Sequence, residues 1–113
     1  MDKKTSVTIK GYFVVLGDER KSLNEKFKKK APLDLDIGRA GIFYKKEDLV
    51  STIQSKAVLK NIPMDVVEIA VPLCCIIDPN GKKFDIKSGT DITIINIQSF
   101  QQVMKEIMMN EIA

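Results

Sequence analysis

Apolar and polar side chains alternate along residues 6–16, and a period of two is typical of a β-strand that buries one face. One face of this strand is apolar and carries Val7, Ile9, Phe13 and Val15. The other face mixes polar and apolar residues, so we predict that the strand lies inside its sheet or is covered at its C-terminal end.

Two later segments repeat their apolar residues with the period of a helix. In residues 45–61 the apolar stripe consists of Leu49, Val50, Ile53 and Ala57. The second segment follows Asn96, which we predict to cap a C-terminal helix. Its stripe consists of Phe100, Val103, Met104, Ile107 and Met108, so this helix is predicted to be amphipathic.

Residues 18–30 allow two interpretations. Asp18 is suited to cap a short helix that carries Leu23 and Phe27 on one side. The same residues are also suited to an exposed, charged loop or arm. We favour the helix, and we expect Ala31 and Pro32 to end it.

Short apolar and β-branched segments fill the remaining chain. They predict strands over residues 39–44, 64–71, 73–77, 83–86 and 92–95, with turns at 78–81 and 88–91. Pro72 predicts a bulge or an edge. The expected fold class is α+β, in one domain spanning residues 1–113. It has a mostly antiparallel sheet of about five strands, with two or three helices packed on it.

The composition argues against catalysis. The chain contains no histidine, the side chain that most often acts as a general base near neutral pH and as a zinc ligand. It also lacks the glycine-rich patterns that bind phosphate groups. Acidic residues such as Asp34 and Asp36 follow no metal-ligand spacing. We therefore predict that the protein is not an enzyme and uses no cofactor and no metal.

Basic residues are concentrated in the first half of the chain. Residues 1–60 carry a net charge of +6, whereas residues 61–113 carry −3. The stretch at 20–30 is either a solvated face or a surface that binds an acidic protein or a nucleic acid. Only two of the 18 basic residues are arginine, and no aromatic platform is interleaved with them, so nucleic acid is the alternative partner.

A second partner surface is predicted at the C-terminus. Met109 and Ile112 widen the helical stripe, and methionine is common on adaptable binding surfaces. The strand at 64–71 offers another surface, because an unpaired edge there would accept a partner strand or form a homodimer. The candidate partner-binding residues are Lys26, Lys28, Lys29, Lys30, Met108, Met109 and Ile112.

The two cysteines, Cys74 and Cys75, are adjacent. On a strand they would point to opposite faces, and a disulfide between neighbours is strained. The first interpretation is two reduced, buried or half-buried thiols, and a vicinal redox switch is the alternative. Reduced thiols, a polar N-terminus and the absence of an apolar run of roughly 20 residues predict a cytoplasmic protein outside the membrane.

One stretch resembles a known class of proteins. The letters DIGRAGIF at residues 36–43, a lysine-rich helical segment and then VVEI at 66–69 are similar to small accessory proteins of bacteriophages and other mobile elements, over about residues 6–71. The resemblance implies a non-enzymatic protein that binds a host factor, and it assigns no site residues.

We therefore predict a non-catalytic protein-interaction module, such as an inhibitor or an accessory factor. It would bind a host or partner protein through a strand edge or through the C-terminal helix. The alternative is a nucleic-acid-binding module that uses the basic stretch at residues 20–30.

Overall fold

The structure, a computed structural model, describes residues 7–31, 33–34, 41–56, 58, 61–87 and 89–112. The strands are β1 (Thr8–Leu16), β2 (Leu33–Asp34), β3 (Ile42–Phe43), β4 (Met64–Pro72), β5 (Ile76–Asn80), β6 (Lys83–Ile86) and β7 (Asp91–Ser99). The helices are α1 (Asp18–Lys28), α2 (Lys46–Gln54) and α3 (Phe100–Ile112), and a 3₁₀ turn covers Leu73–Cys75.

Six strands form the main sheet in the order β7-β4-β1-β3-β6-β5, and β2 adds two residues beside β7. The pairings between the described strands are antiparallel. With helices packed on this sheet, the α+β class is confirmed. β1 lies between β4 and β3, as its two half-apolar faces predict.

The alternation of side chains along the strands creates two buried clusters. On one face, Phe13 of β1 and Val67 of β4 pack with Leu23 of α1. On the opposite face, Tyr12 and Val66 pack with buried residues of α2 and α3, namely Leu49, Val50, Phe100 and Val103. We call these the α1 face and the α2/α3 face. Each helix is therefore held by its apolar side against one face of the sheet.

The helix predictions are right in kind but differ in their ends. The helix predicted over residues 18–30 is present with Leu23 buried, but it ends at Lys28, and Gly17 rather than Asp18 occupies the cap position. The predicted helix at 45–61 ends at Gln54, and Ala57 lies outside the described residues. The C-terminal helix begins at Phe100.

The cap predicted at Asn96 is wrong. Asn96 lies inside β7 and pairs with Glu68, so the ladder to β4 extends the strand past it. Ser99 takes the capping role, because the Gln102 backbone N–H donates to Ser99 Oγ at 3.2 Å.

Other strand and turn predictions differ from the structure as well. Residues 73–77 do not form one strand, because the 3₁₀ turn precedes β5. β2 was not predicted at all. The 78–81 hairpin is present, but its turn is shifted: Asn80 pairs with Lys83, which leaves Gly81 at φ +63° and Lys82 at the corner. Only Ile42 and Phe43 of the predicted 39–44 strand are strand residues, and residues 39–40 lie outside the described part.

Gly11 marks a close contact between two parts of the sheet. A Cβ atom at this position would lie 2.6 Å from Ile42 Cγ2 and 2.9 Å from Phe84 Cζ. The Phe84 ring of β6 therefore reaches across β3 onto β1, and only glycine leaves room for it.

Within the described chain, no helix is long and apolar enough to cross a lipid bilayer.

Candidate binding surfaces

Four of the predicted binding residues lie in the last turn of α1 and in the two residues that follow it, a segment that we call the basic end of α1. Lys28, Lys29 and Lys30 are exposed and Lys26 is half-buried. The Lys29 N–H donates to the Glu25 carbonyl at 3.0 Å, and Lys30 turns the chain at φ +57°. None of the four lysines forms an ion pair with another residue of the described part. Their charges are therefore available to an acidic partner, beside the negative end of the helix dipole.

The C-terminal helix carries the other predicted residues. Phe100 and Val103 are buried on the α2/α3 face, and Met104 and Ile107 pack against the same cluster. The helical stripe is confirmed up to Ile107. Met108 and Met109 leave it, with 58% and 69% of their surfaces exposed.

The predicted residues do not form one site. Ile112 lies in the last turn of α3, and its side chain is outside the described part. α1 packs on one face of the sheet and α3 on the other. The lysines and the methionines are therefore two separate surfaces.

The strand predicted to offer a free edge is not an edge strand. β4 (Met64–Pro72) pairs with β1 along its full length and with β7 on its other side, so it lies in the interior of the sheet. The prediction that residues 64–71 meet a partner is therefore wrong. Sequence order does not determine which strands are outermost, because that depends on pairing between distant segments.

Among the strands that the structure describes, β7 and β5 lie at the two ends of the main sheet, and β7 is the longer of the two. Among the described residues, only Leu33 and Asp34 of β2 pair with its outer side, opposite Ile92 and Asp91. Residues 93–99 have no strand partner there in this part of the chain. Thr93, Ile95 and Ser99 are exposed along this segment. We call residues 93–99 of β7 the β7 edge.

The basic end of α1 lies close to the start of the β7 edge. Leu33 follows Lys30 by three positions in the sequence, so their Cα atoms are at most about 11 Å apart. Leu33 in turn pairs directly with Ile92. α1 also packs against β7. A ligand on the β7 edge would therefore approach the lysines of α1.

An open cleft of about 720 Å³ lies on the other side of β7, where α2 ends and α3 begins. Its walls combine apolar and polar side chains, including Arg20, Ile53, Asn61, Ile62, Phe100, Gln101 and Met104. The described lining residues include no carboxylate, thiol or imidazole, and the ionisable side chains among them are Arg20 and Lys56. Sequence reasoning missed it because its walls come from four separate segments.

Beside this cleft, one buried acid is held by α1. Asp65 is almost fully buried, and its Oδ2 lies 3.4 Å from Arg20 Nε and 3.3 Å from Asn24 Nδ2, which donates to it. Arg20 Nε is itself buried and forms no hydrogen bond, so its contact with Asp65 is a charge interaction without good hydrogen-bond geometry. This group fixes α1 to β4 and is structural.

One titratable group on the α2/α3 face is perturbed. Burial and the neighbouring Glu68 carboxylate raise the pKa of the Tyr12 hydroxyl above its ordinary value of 10.0. Tyr12 donates to Glu68 Oε2 over 3.5 Å, and Lys10 Nζ lies 3.5 Å from the same oxygen. A tyrosine that keeps its proton to higher pH is not a general base near neutrality. The described residues also contain no cluster of three metal-ligating side chains.

The cysteine pair lies in the 3₁₀ turn between β4 and β5. Cys74 is exposed and Cys75 is half-buried, with their Sγ atoms 3.9 Å apart. The expectation that they point to opposite faces of a strand is wrong, because the turn brings both thiols to the same side.

Comparison of the chain with models of known protein families, with characterised proteins and with solved structures gives no match. The resemblance to accessory proteins of mobile elements therefore stays a prediction.

Proposed function

We propose that this protein is a non-catalytic interaction module that binds an extended, acidic segment of a partner protein. The segment pairs with the β7 edge as an additional strand, and the lysines of α1 attract its acidic side chains. One observation carries the proposal. From residue 93 to residue 99, the side of β7 that faces away from β4 has no ladder partner in the described part of the chain.

The composition of the β7 edge supports strand addition. β7 contains no proline and, between Ile92 and Ser99, no charged residue. Natural proteins use prolines, lysines and short strands to prevent pairing at sheet edges, and the β7 edge has none of these. A bulge at Ile95 is its one irregularity, since Ile94 pairs with Ile69 whereas Asn96 pairs with Glu68.

The charge of the partner follows from α1. Lys28, Lys29 and Lys30 are exposed without ion pairs to other described residues, and they lie near the Ile92 end of β7. Such a cluster accelerates the association of an acidic ligand and disfavours a basic one. A non-enzymatic protein that binds a host factor, the role implied by the resemblance to accessory proteins of mobile elements, is consistent with this mode of binding.

The test uses a labelled peptide of the same nine-residue length as β7, in which valine alternates with glutamate. Binding is measured by fluorescence anisotropy against the wild-type protein. The lysine-for-glutamate peptide tests the charge requirement, and a peptide with N-methylated backbone amides tests strand pairing. We expect the acidic peptide to bind and each control peptide to bind at least about tenfold more weakly.

Matched variants locate the site. Ile95→Lys places a charge on the β7 edge, and Ile77→Lys places one on β5, at positions that are 39% and 43% exposed. Of these two variants, we expect only Ile95→Lys to weaken binding of the acidic peptide, by about tenfold or more. Lys29→Glu should also weaken it, whereas Lys105→Glu on α3 should not. Equal effects of the two isoleucine variants would contradict the proposal.

Two other occupants are distinguished in the same experiment. If Met108→Glu and Met109→Glu abolish binding while Ile95→Lys does not, the C-terminal helix is the binding surface instead. A second copy of the chain on the β7 edge would appear as a dimer in sedimentation of the wild-type protein, and Ile95→Lys would dissociate it.

Nucleic acid is the second candidate partner, supported by the same unpaired lysines. Phosphate contacts release counterions, so binding of labelled DNA or RNA would weaken steeply as salt increases. A Lys28→Glu/Lys29→Glu/Lys30→Glu variant would no longer bind the labelled nucleic acid. If binding is absent at low salt, this candidate is excluded.

A further inference from the structure

The turn that joins β4 to β5 holds two thiols side by side. Pro72, at φ −59° and ψ 133°, ends β4, and the 3₁₀ turn follows directly. In this turn Cys74 Sγ and Cys75 Sγ are 3.9 Å apart, close enough for a weak S–H···S hydrogen bond with either thiol as donor. The backbone therefore places the two sulfur atoms in contact before any reaction takes place.

The two thiols differ in their access to solvent. Cys74 is exposed, so a small molecule reaches it directly. Cys75 is half-buried and its side chain packs against the core of the α1 face. Its backbone carbonyl accepts a hydrogen bond from the Lys87 N–H at 2.9 Å, which fixes the turn to the chain after β6. One thiol is thus available for attack, and the other is held next to it.

We propose that Cys74 and Cys75 form a modification site that is oxidised to a vicinal disulfide by a low-molecular-weight disulfide. The Cys74 thiolate attacks one sulfur of the small disulfide, whose S–S bond breaks, and one half leaves as a thiolate and takes up a proton. The Cys75 thiolate then attacks Cys74 Sγ, and the second half leaves in the same way. The protein loses two electrons and two protons, and the small disulfide becomes two thiols.

The resulting bond is easily reduced again. Neighbouring Cα atoms are about 3.8 Å apart, shorter than the separation of about 4.4–6.8 Å that relaxed disulfides adopt. The strained bond is consequently more oxidising than a structural disulfide. Closing it also draws Cys75 Sγ toward Cys74 and away from the core, which favours the reduced form. The pair is therefore a reversible site, and it lies on the β5 side of the sheet, away from the β7 edge.

The experiment treats the reduced, folded protein with glutathione disulfide and follows it by intact-protein mass spectrometry and thiol titration. We expect the wild-type protein to lose two hydrogen atoms in mass and both free thiols, with no glutathione retained. Cys75→Ser should instead retain one glutathione on Cys74, and Cys74→Ser should react much more slowly because its remaining thiol is half-buried. Circular dichroism of each variant establishes that it is folded.

Four results would overturn the proposal. They are two free thiols after treatment, retained glutathione on the wild-type protein, a disulfide-linked dimer, and an internal disulfide that a glutathione buffer of cytosolic composition fails to reopen.

Discussion

The outer strands at the two ends of the sheet, β7 and β5, differ in length, in composition and in how they are attached. β7 has nine residues without proline and pairs with β4 at six positions. β5 has five residues, contains Pro79 and is bulged between Ile77 and Asn80. Proline and a bulge are devices that prevent strands from pairing at a sheet edge. Protection is thus built into β5, and β7 carries only the bulge at Ile95.

The attachment of the two ends also differs. β7 is held by its long ladder to β4, whereas β5 and β6 connect to β1 through the two residues of β3. The β5–β6 hairpin therefore depends on side-chain packing, mainly through Phe84, which is 1% exposed and contacts Tyr44 with ring centroids 4.6 Å apart. The edge that we propose as a binding site is the one with the firmer ladder, which suits a surface that must stay in place when a ligand pairs with it.

The largest effect is expected from Phe84→Ala. Removal of this buried ring should lower the free energy of unfolding by about 3–5 kcal/mol, measured by urea denaturation. Hydrogen exchange should increase more at the amides of β5 and β6 than at those of β4, because the hairpin has few other attachments. An equal increase throughout the sheet would show that the hairpin is held as firmly as β7.

Gly11→Ala tests the contact between β1 and the β5–β6 hairpin from the β1 side. The added Cβ atom would lie 2.6 Å from Ile42 Cγ2, so we expect a loss of about 1–3 kcal/mol from overpacking. The exposed Thr8→Ala on the same strand serves as control and should change stability by at most about 0.5 kcal/mol. If adding Phe84→Leu to Gly11→Ala restores none of the lost stability, the contact with Phe84 does not contribute to the overpacking at Gly11.

Ser99→Ala tests the junction between β7 and α3. Loss of the cap for the Gln102 N–H should destabilise the protein by about 1 kcal/mol. Ser55→Ala removes a hydroxyl that donates to the Thr52 carbonyl beyond the end of α2, and it should cost less than about 0.5 kcal/mol. Similar losses for both variants would mean that Ser99 does not cap α3.

The smallest effect is expected at Tyr12, which pairs with Phe43 where β1 meets β3. Its pKa is raised in the folded protein, so in the unfolded chain it loses its proton first as pH increases. The stabilisation that results from this difference in pKa is complete below pH 10, and it is lost as pH rises through the pKa of Tyr12 in the folded protein. Tyr12→Phe should therefore lose less stability than the wild-type protein between neutral and strongly alkaline pH in thermal melts. A steeper loss for the variant would contradict this.

Local sequence patterns predicted the elements whose apolar period extends over enough residues to identify a strand or a helix without knowledge of tertiary contacts. The strand predicted through β1 and the helical stripe from Phe100 to Ile107 are both present. Val7, expected on the apolar face of β1, lies before the strand and is exposed, and Tyr12 on the other face is buried as well. The end of β7 was mispredicted because Asn96 is suited both to a helix cap and to a ladder with Glu68, and the ladder formed. β2 has two residues and exists only through its contact with β7, so no local pattern could indicate it.

The candidate sites show the same division. Lys28, Lys29, Lys30, Met108 and Met109 are exposed. Met108 was nevertheless expected in the packed stripe of α3, and Lys29 and Lys30 lie just beyond the end of α1. The free edge was assigned to residues 64–71 instead of β7, because edge position is a property of the whole sheet. The contact between Cys74 and Cys75 was not expected, since residues 73–75 form a 3₁₀ turn in place of the start of the strand predicted over residues 73–77.

The most direct test of the central claim is amide hydrogen exchange of the wild-type protein with and without a saturating amount of the acidic peptide. Strand addition predicts that outward-facing amides among residues 93–99 become protected, while those of Ile76 and Ile77 on β5 do not change. Protection at β5, or at α3 alone with residues 93–99 unchanged, would contradict the assignment of the β7 edge as the binding site.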